Sequence, residues 1–243
     1  MFKFHYRIER SALGLVGFII LVASIGGFIE IAPLFTIDET VEQAENMRVN
    51  TPLEIAGRNI YIREGCYACH SQMIRTLSDE VDRYGPYSLA VESQYEHPQL
   101  WGSKRTGPDL ARLGNKYSDA WHTGHLNNPR DLVPQSKMPA YRWLLRDTLR
   151  TDDLGNHLAA LRAVGVPYTD EQIAHAERDA YGQANPDSAE ASGVAERYGD
   201  ATNIRAFDGQ PGKVTDMDAL VAYLQSLGTL TDAAFTSETA EAE

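Results

Sequence analysis

Two thiols and an imidazole stand together in Cys66-Tyr67-Ala68-Cys69-His70, and the 243 residues contain no other cysteine. C-x-x-C-H is the attachment signature of a c-type haem: the thiols form thioethers with the haem vinyl groups and the adjacent histidine reaches the iron. One helical turn brings both sulfurs and the imidazole to one side of the backbone. Two other chemistries use C-x-x-C. A structural zinc site needs two further clustered ligands, and the nearest histidine pair, His122 and His125, is spaced too closely for a zinc finger. A thioredoxin-type redox pair needs a preceding strand and leaves His70 without a role. The pattern points to one covalently attached c-type haem, with His70 as an axial ligand.

An electron-transfer haem needs a second axial ligand, and a methionine thioether favours ferrous iron. Met47 lies in a linker, and Met217 opens a helix where packing accounts for it. Met73 is expected on the same helix as His70, which would keep it from the opposite face. Met138 stands in a loop and is stiffened by Pro139, so it is the candidate. Its alternative is to fill a gap in the core. A ligating histidine usually donates its second ring N–H to a carbonyl. The Pro108 carbonyl is a candidate acceptor, an ordinary turn being the alternative. Trp101, Trp121, Tyr141 and Trp143 could wall the haem or fill the core, and Lys104, Arg105 or Arg142 could meet its propionates or stay solvated. His122 and His125 share a helix face, with no carboxylate or cysteine at useful spacing to complete a metal site.

Several elements must position these groups. Pro52–Gly65 reads as a short helix with Ile55, Ile60 and Ile62 facing a core, closed by Gly65. A helix is expected near Ser118–Leu126. In residues 146–213, read as a peripheral insertion, Thr151–Ala163 and Asp170–Tyr181 are helical in pattern. Gln183–Gly212 reads as a surface loop. Thr215–Gly228 has an N-cap candidate in Thr215, acids in its first turn, and an apolar face of Leu220, Val221, Leu224 and Leu227.

Ser11–Ile29 carries no charge and is long enough to cross a bilayer as a helix. Lys3, Arg7 and Arg10 precede it and Glu30, Asp38, Glu39, Glu42 and Glu45 follow. The positive-inside rule puts residues 1–10 in the cytoplasm and the remainder outside. A cleaved signal peptide is the alternative, although no A-x-A site closes the run. The boundaries are then a cytoplasmic N-terminus at 1–10, a transmembrane helix at 11–30 and a membrane-proximal linker at 31–51. A haem domain covers 52–228 and an acidic tail 229–243. The net charge of −12 argues against nucleic acid as a partner.

The runs Glu64–Arg75, Asp79–Gly85, Tyr87–Ala90, Trp101–Ala111, Lys116–Ser118 and Lys137–Pro139, with the anchor, resemble the membrane-anchored mono-haem cytochrome c subunit (subunit II) of cbb3-type cytochrome c oxidases. The resemblance implies a mainly α protein: one N-terminal transmembrane helix and a class I cytochrome c domain with a long insertion. It implies haem ligation by His70 and Met138. It also implies a single-pass location in a bacterial inner membrane, with the haem domain periplasmic and membrane lipid around the anchor. The implied partners are the catalytic haem-copper subunit, the di-haem cytochrome c subunit and a soluble cytochrome c donor. Such a chain relays electrons, whereas oxygen reduction and proton pumping belong to the complex.

Two other readings compete. A free-standing membrane-anchored cytochrome c shuttle would need less chain between His70 and Pro108. A haem peroxidase would need an open sixth position, which Met138 would close.

Overall fold

The computed structural model describes residues 2–36 and 47–231. Contacts divide the chain into two units, residues 1–43 and 44–243.

The first unit holds α1 (Phe2–Glu9) and α2 (Ala12–Ile31), followed by a 3-10 turn at Ala32–Phe35. Ser11 caps α2, its Oγ accepting the Gly14 N–H at 3.1 Å. No α2 residue is buried. An apolar surface on every side of a helix belongs in lipid, and the segment Ala12–Phe35 is long and apolar enough to cross a membrane.

The second unit is helical, with no strand among its described residues. It opens with α3 (Pro52–Arg63) and a 3-10 turn at Cys66–Ala68. Next come α4 (Ser78–Tyr84), a turn at Ala90–Ser93, α5 (Asp119–Asn127), α6 (Pro129–Leu132) and a turn at Arg142–Leu145. The last four helices are α7 (Leu154–Ala163), α8 (Asp170–Ala184), α9 (Ala191–Tyr198) and α10 (Asp216–Ser226). A capping box starts α3: Thr51 Oγ1 accepts the Glu54 N–H and the Glu54 carboxylate accepts the Thr51 N–H at 2.9 Å. The same device opens α8 with Thr169 and Gln172, and α10 with Thr215 and Asp218.

The centre of the unit is the crossing of α3 and α10. A Cβ on Gly57 would lie 1.9 Å from the Ala219 carbonyl oxygen, so the two backbones touch there and only glycine fits. Tyr61 and Tyr223 meet edge to face, centroids 5.7 Å apart. The expected amphipathic helix at α10 proves to be buried along its whole length, Asp216 to Ser226. One side packs on α3, and others meet α5 and the Arg142–Leu145 turn. Gln225, outside the apolar face, donates to the Tyr117 carbonyl and the Asp119 carboxylate.

Residues 146–213 are not peripheral in their packing. Leu154, Leu158, Ala176, Ala180, Val194, Tyr198 and Phe207 join the core. Nor is 183–212 a surface loop: it includes α9 and the buried residues Gln183, Ala184 and Asn185. Its burial rests on polar pairing that apolar periodicity does not reveal. Gln183 meets the Thr51 hydroxyl at 2.5 Å and donates to the Asn203 carbonyl. Buried Asp179 is paired with Arg197. The acidic stretch at 37–46 and the tail at 232–243 lie outside the described residues.

Candidate functional site

Gly65, at φ 73°, lets the chain leave α3 and begin the tight turn that carries the two thiols. The Cys66 carbonyl accepts both the Cys69 N–H at 3.1 Å and the His70 N–H at 3.0 Å, which holds the pentapeptide as one closed loop. Cys66 is buried and Cys69 exposed, both free of disulfide. Burial pushes the Cys66 thiol up to about 11, with negative charge on Glu64 acting in the same direction.

His70 is held from one side. Its Nδ1 lies 2.8 Å from the Pro108 carbonyl, the acceptor expected from the sequence, which leaves Nε2 for another bond. Burial lowers the imidazole pKa, opposed by the Pro108 carbonyl and by Asp109, so the ring is a neutral donor near neutral pH. Gly107 presses on the ring face: a Cβ there would come within 2.3 Å of His70 Cε1. The Gly107 N–H donates to the Cys69 carbonyl at 2.9 Å, the Leu110 N–H to Ser71, and the Gln72 N–H to Trp101. Segments 69–73 and 101–110 are thereby laced into one support.

Arg105 is part of that support. It donates to Ser71 Oγ at 2.6 Å, to the Met73 carbonyl at 2.8 Å and to Glu80 at 2.8 Å. Asp109 accepts from Ser71 Oγ and the Met73 N–H, and also from Ala111. The Arg105 Nε and Nη2 are thus engaged by the protein. Arg105 and Arg75 hold the Glu80 carboxyl down at about 2. Met73 is not on a helix with His70, since residues 70–75 are irregular chain. Its backbone is tied to the Arg105–Asp109 side, next to Pro108.

The remaining candidates are scattered around this loop. Met138 is half-buried against the core, and its N–H donates to Ser136 Oγ at 3.2 Å. Tyr141 is tied by its N–H to the Leu126 carbonyl at 2.8 Å and meets Trp143 edge to face. Burial, with charge on Cys66 and Cys69, pushes its phenol up to about 12. Trp101 is 43% exposed and bonds Ser93 Oγ through its indole, so it is a surface brace rather than a buried wall. Lys104 and Arg142 are exposed.

His122 and His125 gain no third ligand: among the described residues no three metal-binding side chains cluster. Burial pushes His122 down to about 4, and its Nε2 has no hydrogen-bond partner. His125 Nδ1 is likewise unpartnered, and charge on His70 disfavours charge on His125. Sequence reasoning missed Gly107 and the Arg105–Asp109 brace.

The donor set fits a haem. Two unpaired thiols flank a neutral imidazole with a free ring nitrogen, and the glycine against the ring leaves no side chain to compete for that face. The class of protein with such a donor set in a helical domain is a haem-bearing electron carrier. The chain matches the family described as cytochrome C oxidase, mono-heme subunit/FixO over residues 5–231, and it belongs to that family. It is thus a mono-haem cytochrome c oxidase subunit acting in electron transfer, with one haem as cofactor. No curated protein matches the chain.

Proposed function

We propose that the chain is the electron-transfer subunit of a cbb3-type haem-copper oxidase, carrying its haem covalently on Cys66 and Cys69. The hydrogen bond from His70 to Pro108, beside two free thiols, carries this reading. Cys66 and Cys69 would hold the haem through thioethers, each made by addition of a thiol S–H across a vinyl group with no oxidant required. His70, through Nε2, and Met138 would hold the haem iron. The haem, when bound, supplies reversible one-electron chemistry at iron.

The protein's own residues do the rest. Pro108 and Gly107 fix the plane of His70, so little rearrangement accompanies a change in iron charge. Arg105, Asp109 and Ser71 keep that support rigid. The close crossing of α3 and α10 supports a class I cytochrome c domain. The α2 helix would anchor the chain in a bacterial inner membrane, and the Lys3, Arg7 and Arg10 flank would hold the N-terminus in the cytoplasm and the haem domain in the periplasm. The partners would be the catalytic haem-copper subunit and the di-haem cytochrome c subunit, with a soluble cytochrome c as a further donor. With Met138 on the iron this chain relays electrons, and oxygen is reduced elsewhere in the complex.

Purification of a tagged chain from membranes tests the reading. Co-purification with haem- and copper-bearing subunits is expected, and isolation alone would instead identify a free shuttle. The near-infrared sulfur-to-iron band of the oxidised protein tests the ligand. It should vanish in Met138→Ala, and its retention would remove Met138 from the iron.

A further inference from the structure

Two acids stand in the first turn of α4, where they face the positive end of the helix dipole. Asp79 does so from an exposed position. Glu80 is only 3% exposed, and its carboxylate bonds groups outside α4. It accepts the Arg75 N–H at 3.0 Å and Arg105 Nη2 at 2.8 Å, and it also pairs with the Arg75 side chain. From Glu80 an unbroken chain of bonds runs to His70. Arg105, fixed at Nη2 by Glu80, donates through Nε to Ser71 Oγ at 2.6 Å. Ser71 Oγ donates to Asp109 Oδ2, also at 2.6 Å. Asp109 follows Pro108, whose carbonyl lies 2.8 Å from His70 Nδ1. Ser71 itself directly follows His70. The imidazole is thus gripped twice, through its own backbone and through its acceptor. Ser71, Glu80 and Asp109 are all buried, and a carboxylate taken out of water is costly unless it is paired.

We propose that Glu80 is a positioning residue for the haem site: by fixing the Arg105 fork it holds Ser71 and Asp109, and with them the plane of the His70 imidazole. This rests on the proposed haem site, with His70 on the iron. Arg105 serves Ser71 Oγ, the Met73 carbonyl and Glu80 together, and of these partners within 3 Å only Glu80 is charged. A charge-assisted bond is the strongest of the three, and the planar guanidinium passes its orientation on to the other two. The Tyr84 ring, 5.4 Å from the guanidinium carbon to its centroid, backs the same arrangement. Glu80 itself exchanges neither proton nor electron and acts only through Arg105. A ligand held within a narrow range of orientations depends on such supporting bonds.

The test uses the full-length holoprotein in detergent. Electron paramagnetic resonance of the ferric state reads the orientation of the axial imidazole from the low-spin g-values, and a redox titration gives the potential. Glu80→Ala releases Arg105, so its g-values should shift or broaden relative to wild type. Arg105→Lys keeps the positive charge but not the planar fork, and it should reproduce that change. Glu80→Gln keeps an oxygen acceptor for Arg105, while the Arg75 side chain, 58% exposed, can turn to water. It should retain wild-type g-values, and its potential should rise, because a negative charge that favours ferric iron is gone. Wild-type g-values in both Glu80→Ala and Arg105→Lys would overturn the proposal and leave Glu80 a purely structural role. Equal shifts in Glu80→Gln and Glu80→Ala would also overturn it, since they mark an effect of charge and not of held geometry. Should Glu80→Ala take up too little haem to measure, Arg105→Lys decides alone. A wild-type chain with no low-spin haem signal would instead defeat the haem reading, and the proposal with it.

Discussion

Gly107 stands so close to His70 that a methyl group in its place would lie 2.3 Å from the imidazole Cε1. The ring cannot yield without giving up its bond to the Pro108 carbonyl. Gly107→Ala should therefore turn His70 away from its set orientation. Loss of such an orienting partner weakens metal ligation by about 10–100-fold. Pyridine haemochrome spectra should show reduced haem content or a displaced iron absorption, with helicity by circular dichroism maintained. A wild-type spectrum and potential would mean that the glycine does not set the ring.

Gly57→Ala tests the latch between α3 and α10. The new methyl would meet the Ala219 carbonyl oxygen and the Tyr223 Cβ, both on a fully buried helix that cannot move aside. Overpacking of this kind costs about 1–3 kcal/mol and at times more. The denaturant midpoint should fall accordingly, and an unchanged midpoint would show that the crossing relaxes freely.

Breaking the buried pair of Asp179 and Arg197 should be more damaging than breaking an exposed one. Asp179 is completely buried, so Arg197→Ala leaves a carboxylate without its counter-charge, at a cost of about 3–5 kcal/mol. Arg150 is 82% exposed where it meets Asp152, and Arg150→Ala should lie within about 0.5 kcal/mol of wild type. Equal effects in the two variants would contradict the burial of the Asp179 pair.

The Asp218 carboxyl titrates in an accessible range. Burial pushes it up to about 6, against hydrogen bonds from the Thr215 and Asp208 backbone and with help from the Asp208 charge. A carboxyl whose pKa is raised by folding holds its proton more tightly in the native state. Its contribution is complete below the unfolded value of about 3.9 and is lost as pH rises through about 6. The difference in unfolding midpoint between wild type and Asp218→Asn should change across that window, wild type losing ground as pH rises. A pH-independent difference would show that Asp218 is not raised.

What could be read from the sequence was local. The thiol–imidazole loop depends on spacing within five residues, and the start of α10 was visible in Thr215 and the acids of its first turn. Pro108 was legible because a ligating histidine needs an acceptor and proline offers one. The rest depended on groups distant in sequence. Gln183 looks like a loop residue until Thr51 meets it, and the polar Gln225 looks solvated until Asp119 accepts its amide. Helical spacing placed Met73 wrongly because Asp109 and Arg105 hold that stretch as irregular chain. Arg105 read as a surface cation because its partners, Ser71, Met73 and Glu80, lie 25 or more residues away.

The contact of Gly57 with Ala219 joins the beginning of the haem domain to its end. Contacts so distant along the chain form slowly, after the intervening loop has been closed. Residues 216–226 are also the last helix of the domain to be synthesised. The crossing therefore closes only after the whole of 52–226 has been made, and α3 waits until then for its main partner.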